Sequence, residues 1–144
     1  MRFWRISNFT DLSGMGSALH GARWNRKGLP VVYLADHPST SMLETLVHFR
    51  SANLPDTFQL LAIEAPDSTI IEEISPPVGW STKVKLTQKL GSDFLEFRDR
   101  PLLRVPSVVM PQAFNYLLNP AHPDAAQFRI AQIWRYPFDS RLLS

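Results

Sequence analysis

Apolar residues in this chain fall into short runs separated by proline, glycine and asparagine, the spacing of strands and short helices rather than of one long helical repeat. Phe3 to Ile6 predicts a first strand. Asp11 to Gly21, with three glycines and two serines, predicts a loop. Gly14 and Gly16 lack the further glycine spacing of a dinucleotide fingerprint and are not expected to open a helix. Val31 to Ala35 predicts a second strand, ended at His37-Pro38 because a residue before proline avoids helical geometry. The helix expected next carries Leu43, Leu46, Val47 and Arg50 on one side, with Met42 and Phe49 adjoining, a pattern that predicts a core-facing side.

Farther along, Thr57 to Ala65 and Thr69 to Ile74 read as strands broken by Pro66-Asp67, and Pro76 to Gly79 as a loop. Thr82 to Arg98 predicts a helix, interrupted or capped near Gly91-Ser92-Asp93. Leu102 to Met110 reads as a strand in which Pro106 marks an edge or a bulge. Asn115 to Pro123 reads as turn-rich, Phe128 to Tyr136 as a late strand, and Phe138 to Leu142 as the closing segment. Without repeats, low-complexity tracts or a linker, residues 1–144 are expected to form one α+β domain.

Composition narrows the class without changing that picture. A chain of 144 residues, 44% apolar and 19% charged, is globular rather than disordered, and long enough to bury about two-thirds of its unfolded surface. It has no cysteine, which removes disulfides and thiolate chemistry and fits a cytoplasmic location. No run reaches the length of a membrane span, and the first residues lack the apolar core of a secretory signal, so no membrane partner is expected. Net charge is +2, but residues 1–50 carry six basic and three acidic groups while the remainder carries nine and ten. So mild an excess argues against direct nucleic-acid binding and suits a small anionic ligand.

The candidate chemistry lies in Gly21 to Arg50. Arg23 sits in a glycine-bracketed basic loop, Tyr33 in the second strand and Glu44 in the helix, 10 and 11 residues apart. Arginine offers a planar fork that grips phosphate, although a solvated loop arginine has the same sequence signature. Trp24 reads as a core anchor or a stacking surface. Tyr33 reads as a core residue with a satisfied hydroxyl or as a ring for a cationic heteroaromatic. Glu44 has a structural rival role, because Ser41-Met42-Leu43-Glu44 matches a helix capping box. His48, four residues on, could orient it or be plain surface.

Ser107 follows Pro106 without a Gly-x-Ser-x-Gly elbow, so it reads as a hydrogen-bond donor rather than an acyl-transfer nucleophile. Asn115 and Asn119 could form a pair of Asx turns. The histidines His20, His37, His48 and His122 show no ligand spacing, so no metal is expected.

Taken together, GARWN, VVYLA, MLETLVH, LLRVPSVV and NYLLNPAHPD, in this order and spacing, resemble the RES domain, named for its arginine, glutamate and serine. Trp4-Arg5-Ile6, TQKLGSDFL and Phe138 to Leu142 agree, so the resemblance spans nearly the whole chain. Ala22 departs from it, standing where the family usually has a glycine.

The resemblance implies central antiparallel or mixed sheets flanked by helices, in a fold related to ADP-ribosyltransferases. It implies the toxin of a RES–Xre toxin–antitoxin pair that consumes NAD+ by hydrolysis or phosphorolysis of the nicotinamide–ribose bond. NAD+ is then substrate rather than cofactor, with inorganic phosphate as a candidate co-substrate. Arg23, Tyr33, Glu44 and Ser107 carry over as the catalytic set; Trp24 and Asn115 join Arg23, Tyr33 and Ser107 in substrate binding. The implied partner is a DNA-binding antitoxin of the Xre type, with room for a toxin homodimer inside the assembly. Protein ADP-ribosylation, an RNA-directed toxin and a catalytically silent interaction domain are the alternatives.

Overall fold

The computed structural model describes residues 1–143. Seven strands form one sheet: β1 (Arg2–Ile6), β2 (Val32–Ala35), β3 (Thr57–Glu64), β4 (Ile71–Glu73), β5 (Leu102–Pro106), β6 (Phe114–Leu118) and β7 (Arg129–Pro137). Their spatial order is β4-β5-β6-β2-β1-β3-β7. Every pairing is antiparallel except β4 with β5, so the sheet is mixed and the class is α+β. Among the described residues the α-helices are α1 (Met15–His20), α2 (Pro38–Leu46) and α3 (Val84–Phe97).

The sheet has a thin seam. β1 and β2 pair only at Trp4 with Ala35, whereas β1 pairs with β3 over five consecutive residues. The Ile6 N–H at the end of β1 donates instead to the hydroxyl of Ser41, inside α2, at 3.0 Å. Thus α2, which starts three residues after β2 ends, enters where the two strands part.

Side chains alternate along each strand, so the sheet builds a core on each face. One face carries Val32, Leu34, Leu102, Tyr116 and Leu118 with Phe3, Leu61 and Ile63. The other carries Leu103, Val105 and Leu117, covered by Trp24, Phe94 and Leu95. α3 packs on this second face, and the candidate chemistry lies there as well.

Several sequence expectations need correction. Asp11 to Gly21 is not all loop: Met15–His20 is a short helix, entered through Gly14 at φ 71°, where an added Cβ would meet the Val31 backbone at 2.6 Å. α2 stops at Leu46, so Val47 and Arg50 lie beyond it, and Val47 is exposed. Its buried positions are Thr40, Ser41 and Leu46, because this helix fills a seam lined by unpaired backbone rather than covering an apolar face. α3 runs unbroken through Gly91-Ser92-Asp93. β5 ends at Pro106, where β4 no longer accompanies it; the turn to Met110 and the segment after it lead into β6. Asn115 lies within β6 rather than in a turn; only Asn119 makes the Asx turn, accepting from the Ala121 N–H at 3.1 Å.

Candidate active site

Glu44 stands on α2 with its carboxylate aimed at two distant segments. Its Oε1 accepts from the Ser107 hydroxyl at 2.6 Å and from the Asn115 side-chain amide at 2.8 Å. The capping box does not form. The α2 N-cap is His37, whose Nδ1 accepts from the Ser39 N–H, with Pro38 at the first helical position. Ser41 lies inside the helix with its hydroxyl engaged by Ile6, which leaves Glu44 free of a capping duty. Among the described residues, Glu44 Oε2 accepts no hydrogen bond. His48 lies past the helix end, exposed, and makes no bond to Glu44.

Ser107 is buried in the turn after β5. Its Oγ donates to Glu44 and accepts from the Val109 and Met110 N–H groups, each at 3.1 Å. A hydroxyl has one proton and two lone pairs, so this one is saturated. Ser107 therefore holds the carboxylate through its one proton.

Strand register places Tyr33 beside this cluster. Tyr33 pairs with Leu117 and Ala35 with Asn115, two residues apart, so the Tyr33 and Asn115 side chains emerge from the same face. The Tyr33 hydroxyl donates to Asn25 Oδ1 at 2.5 Å and accepts from the Trp24 N–H at 3.2 Å. Burial raises the phenol's pKa well above its ordinary value, so the hydroxyl stays protonated. Its polar end anchors the preceding loop, leaving only the ring for any ligand.

That loop carries Arg23. Asn25, fully buried, donates to the Ser17 and Leu29 carbonyls at 3.1 Å each while accepting from Tyr33, so it ties α1, the loop and β2 together. The Arg23 main-chain carbonyl accepts from the Thr87 hydroxyl at 2.7 Å. Its guanidinium donates from Nη1 to the Ser81 carbonyl at 3.0 Å and, among the described residues, enters no ion pair. Most of its five donors are therefore open to a ligand.

Trp24 is 2% exposed and packs on Trp80, ring centroids 5.7 Å apart. It is a core anchor, and the stacking role allowed for it does not hold. Half-buried Trp80 directly precedes Ser81, whose carbonyl takes Arg23.

The structure thus brings Glu44, Ser107 and Asn115 into direct contact. It sets Tyr33 on the same sheet face and joins the Arg23 loop to Tyr33 through Trp24. Arg23 and Glu44 lie on one side of the sheet, without touching each other. Two surface hollows lie elsewhere, one lined by Met1, Asp67 and Arg129 and another by Glu72, Leu90 and Phe97.

Residues that the sequence did not single out are Asn25, Trp80 and the α3 face of Thr87, Gln88, Gly91 and Ser92. The available signal was TQKLGSDFL, whose small and polar residues recur at helical spacing.

The family model described as RES domain matches residues 2–139. Toxin Res of Pseudomonas putida is 44% identical over 99% of this chain and 99% of its own length. Prs ADP-ribosylating toxin of a Sphingobium species is 36% identical over 98% of this chain and 96% of its own. Among solved structures, the M. tuberculosis MbcT–MbcA toxin–antitoxin complex aligns with TM-score 0.72 at 19% identity, over 99% of this chain and 86% of the matched one. At that identity the likeness concerns the fold.

Proposed function

The chain belongs to the RES domain family, and on that premise we propose that it is the toxin of a toxin–antitoxin pair that cleaves NAD+ at the nicotinamide–ribose bond. The observation that carries this reading is the Glu44 carboxylate. Ser107 and Asn115 grip it through one oxygen, and the other is left unbonded, on the sheet face where Tyr33 emerges.

Nicotinamide in NAD+ is already cationic and departs as a neutral molecule, so no general acid is required. The difficult species is the positively charged ribosyl centre left behind. One fixed carboxylate can stabilise it electrostatically, as a preorganised group does without having to reorient. Glu44 supplies that charge, and its unbonded Oε2 can meet a ribose hydroxyl or align the attacking nucleophile. Arg23 grips the pyrophosphate with its open donors, while the ring of Tyr33 lies against the pyridinium. Water or inorganic phosphate completes the cleavage, giving ADP-ribose or its 1-phosphate. The reading calls for no metal and no resident cofactor.

A second reading keeps the first half-reaction and passes ADP-ribose to a protein side chain. It is favoured by the relative named as an ADP-ribosylating toxin. Purified protein with NAD+, with and without phosphate, followed by product analysis, tests the first reading; labelled NAD+ with cell lysate tests the second. Free ADP-ribose or its 1-phosphate supports cleavage, label on one protein band supports transfer, and intact NAD+ in both sinks the two together. The partner in this reading is a cognate antitoxin of the Xre type, and a solved structure of the same fold is a toxin–antitoxin complex.

Ser107→Ala removes one of the two donors on Glu44. A hydrogen bond to a charged group is worth about 1.5–3 kcal/mol, so kcat should fall roughly tenfold to a hundredfold with KM for NAD+ little changed. A rise in KM with unchanged kcat would instead make Ser107 a substrate contact.

A further inference from the structure

The face of α3 that meets the Arg23 loop has no part in the chemistry described so far, yet it fixes that loop residue by residue. Gln88 Nε2 donates to the Ala22 carbonyl at 2.9 Å, and Thr87 Oγ1 to the Arg23 carbonyl at 2.7 Å. Gly91 lies directly beneath the Trp24 carbonyl. Ser92 Oγ accepts from the Arg26 N–H at 3.2 Å, and the Arg26 side chain pairs with Glu96. These α3 positions recur at helical spacing, so they form one small, polar stripe under the turn that Ala22 and Asn25 close.

We propose that Thr87 is a positioning residue: by fixing the main chain at Arg23, it sets how strongly the guanidinium grips the substrate's pyrophosphate. A buried threonine within a helix ordinarily returns its proton to its own helix. Thr87 is fully buried and has that option in the Val84 carbonyl at 3.0 Å, but its shorter contact is the Arg23 carbonyl. The guanidinium end of Arg23 rests on the Ser81 carbonyl, just ahead of the same helix. Both ends of Arg23 are thereby tied to α3 and to the 3-10 turn that leads into it. An arginine held this way presents its fork without first having to find its orientation, and that lowers the entropic cost of binding. The Ala22–Asn25 bridge and the Tyr33 hydroxyl hold the ends of this turn, and the Thr87 bond adds a grip on the Arg23 main chain itself.

The inference rests on the reading that Arg23 binds the substrate's phosphates, and KM separates it from a purely structural role. Thr87→Val keeps the shape and removes the proton. KM for NAD+ should rise about tenfold, the worth of one lost hydrogen bond, with kcat within about twofold. Thr87→Ser should restore KM. Gln88→Ala, at a half-exposed site where folding is undisturbed, should raise KM about threefold and carries the test should the valine variant not fold. Melting temperatures are measured alongside. A lowered melting temperature with wild-type KM in the folded variants overturns the inference alone, since wild-type turnover stands. Absence of nicotinamide release from the wild-type protein overturns the functional reading and the inference with it.

Discussion

Replacing Glu44 with glutamine should leave the protein folded and cut NAD+ turnover by roughly a hundredfold to a thousandfold, the loss seen when one transition-state-stabilising group is removed. The substitution is nearly isosteric. The amide oxygen can still accept from Ser107 and Asn115, so what disappears is the charge and not the geometry. Nicotinamide release gives kcat, and a urea midpoint matched to wild type shows that the fold survives. A folded variant with turnover within about fivefold of wild type would mean that the ribosyl centre is stabilised elsewhere, and Glu44 would lose its role.

Gly91→Ala should destabilise the protein and impair catalysis at once, against its local propensity. Within a helix, alanine is favoured over glycine by about 1 kcal/mol. Here a Cβ would overlap the Trp24 carbonyl oxygen and stand 2.8 Å from its carbonyl carbon, both main-chain atoms that no rotamer change can move aside. Overpacking of this kind costs about 1–3 kcal/mol, so the clash wins. The main chain that must yield is next to Arg23, so KM for NAD+ should rise as well. A urea midpoint at or above that of wild type would show that the loop and helix do not approach so closely in solution.

Much of the architecture was legible because it is local. The runs that became β1, β2, β3 and β7 are short apolar stretches ended by turn-forming residues, and the α3 stripe has helical period. β6 was not legible, because Asn115, Asn119 and Pro120 give it the composition of a turn. Asn115 is on a strand for the sake of Glu44, 71 residues away in sequence. The same tertiary demand displaced the capping box: Ser41 matches the motif, but a distant strand end claims its hydroxyl. Gly91 looked like a break when its purpose was close approach, and nothing local says which backbone will arrive over a glycine.

The site divides along the same line. The types Arg23, Tyr33 and Glu44 could be picked out from one stretch, but their grips could not. Ser107 and Asn115 reach Glu44 from another part of the chain, and the α3 stripe reaches Arg23 over more than sixty residues. Trp24 was ambiguous for a related reason: an indole's burial depends on what covers it, and Trp80 does so from a 3-10 turn far along the chain.

The saturated hydroxyl of Ser107 has a practical consequence for anyone seeking to disarm such a protein. Fluorophosphonates and other electrophiles that label serine hydrolases depend on an oxygen with a lone pair to give, and this oxygen has already given both. A covalent probe would have to be drawn to the carboxylate instead, through its one unclaimed oxygen.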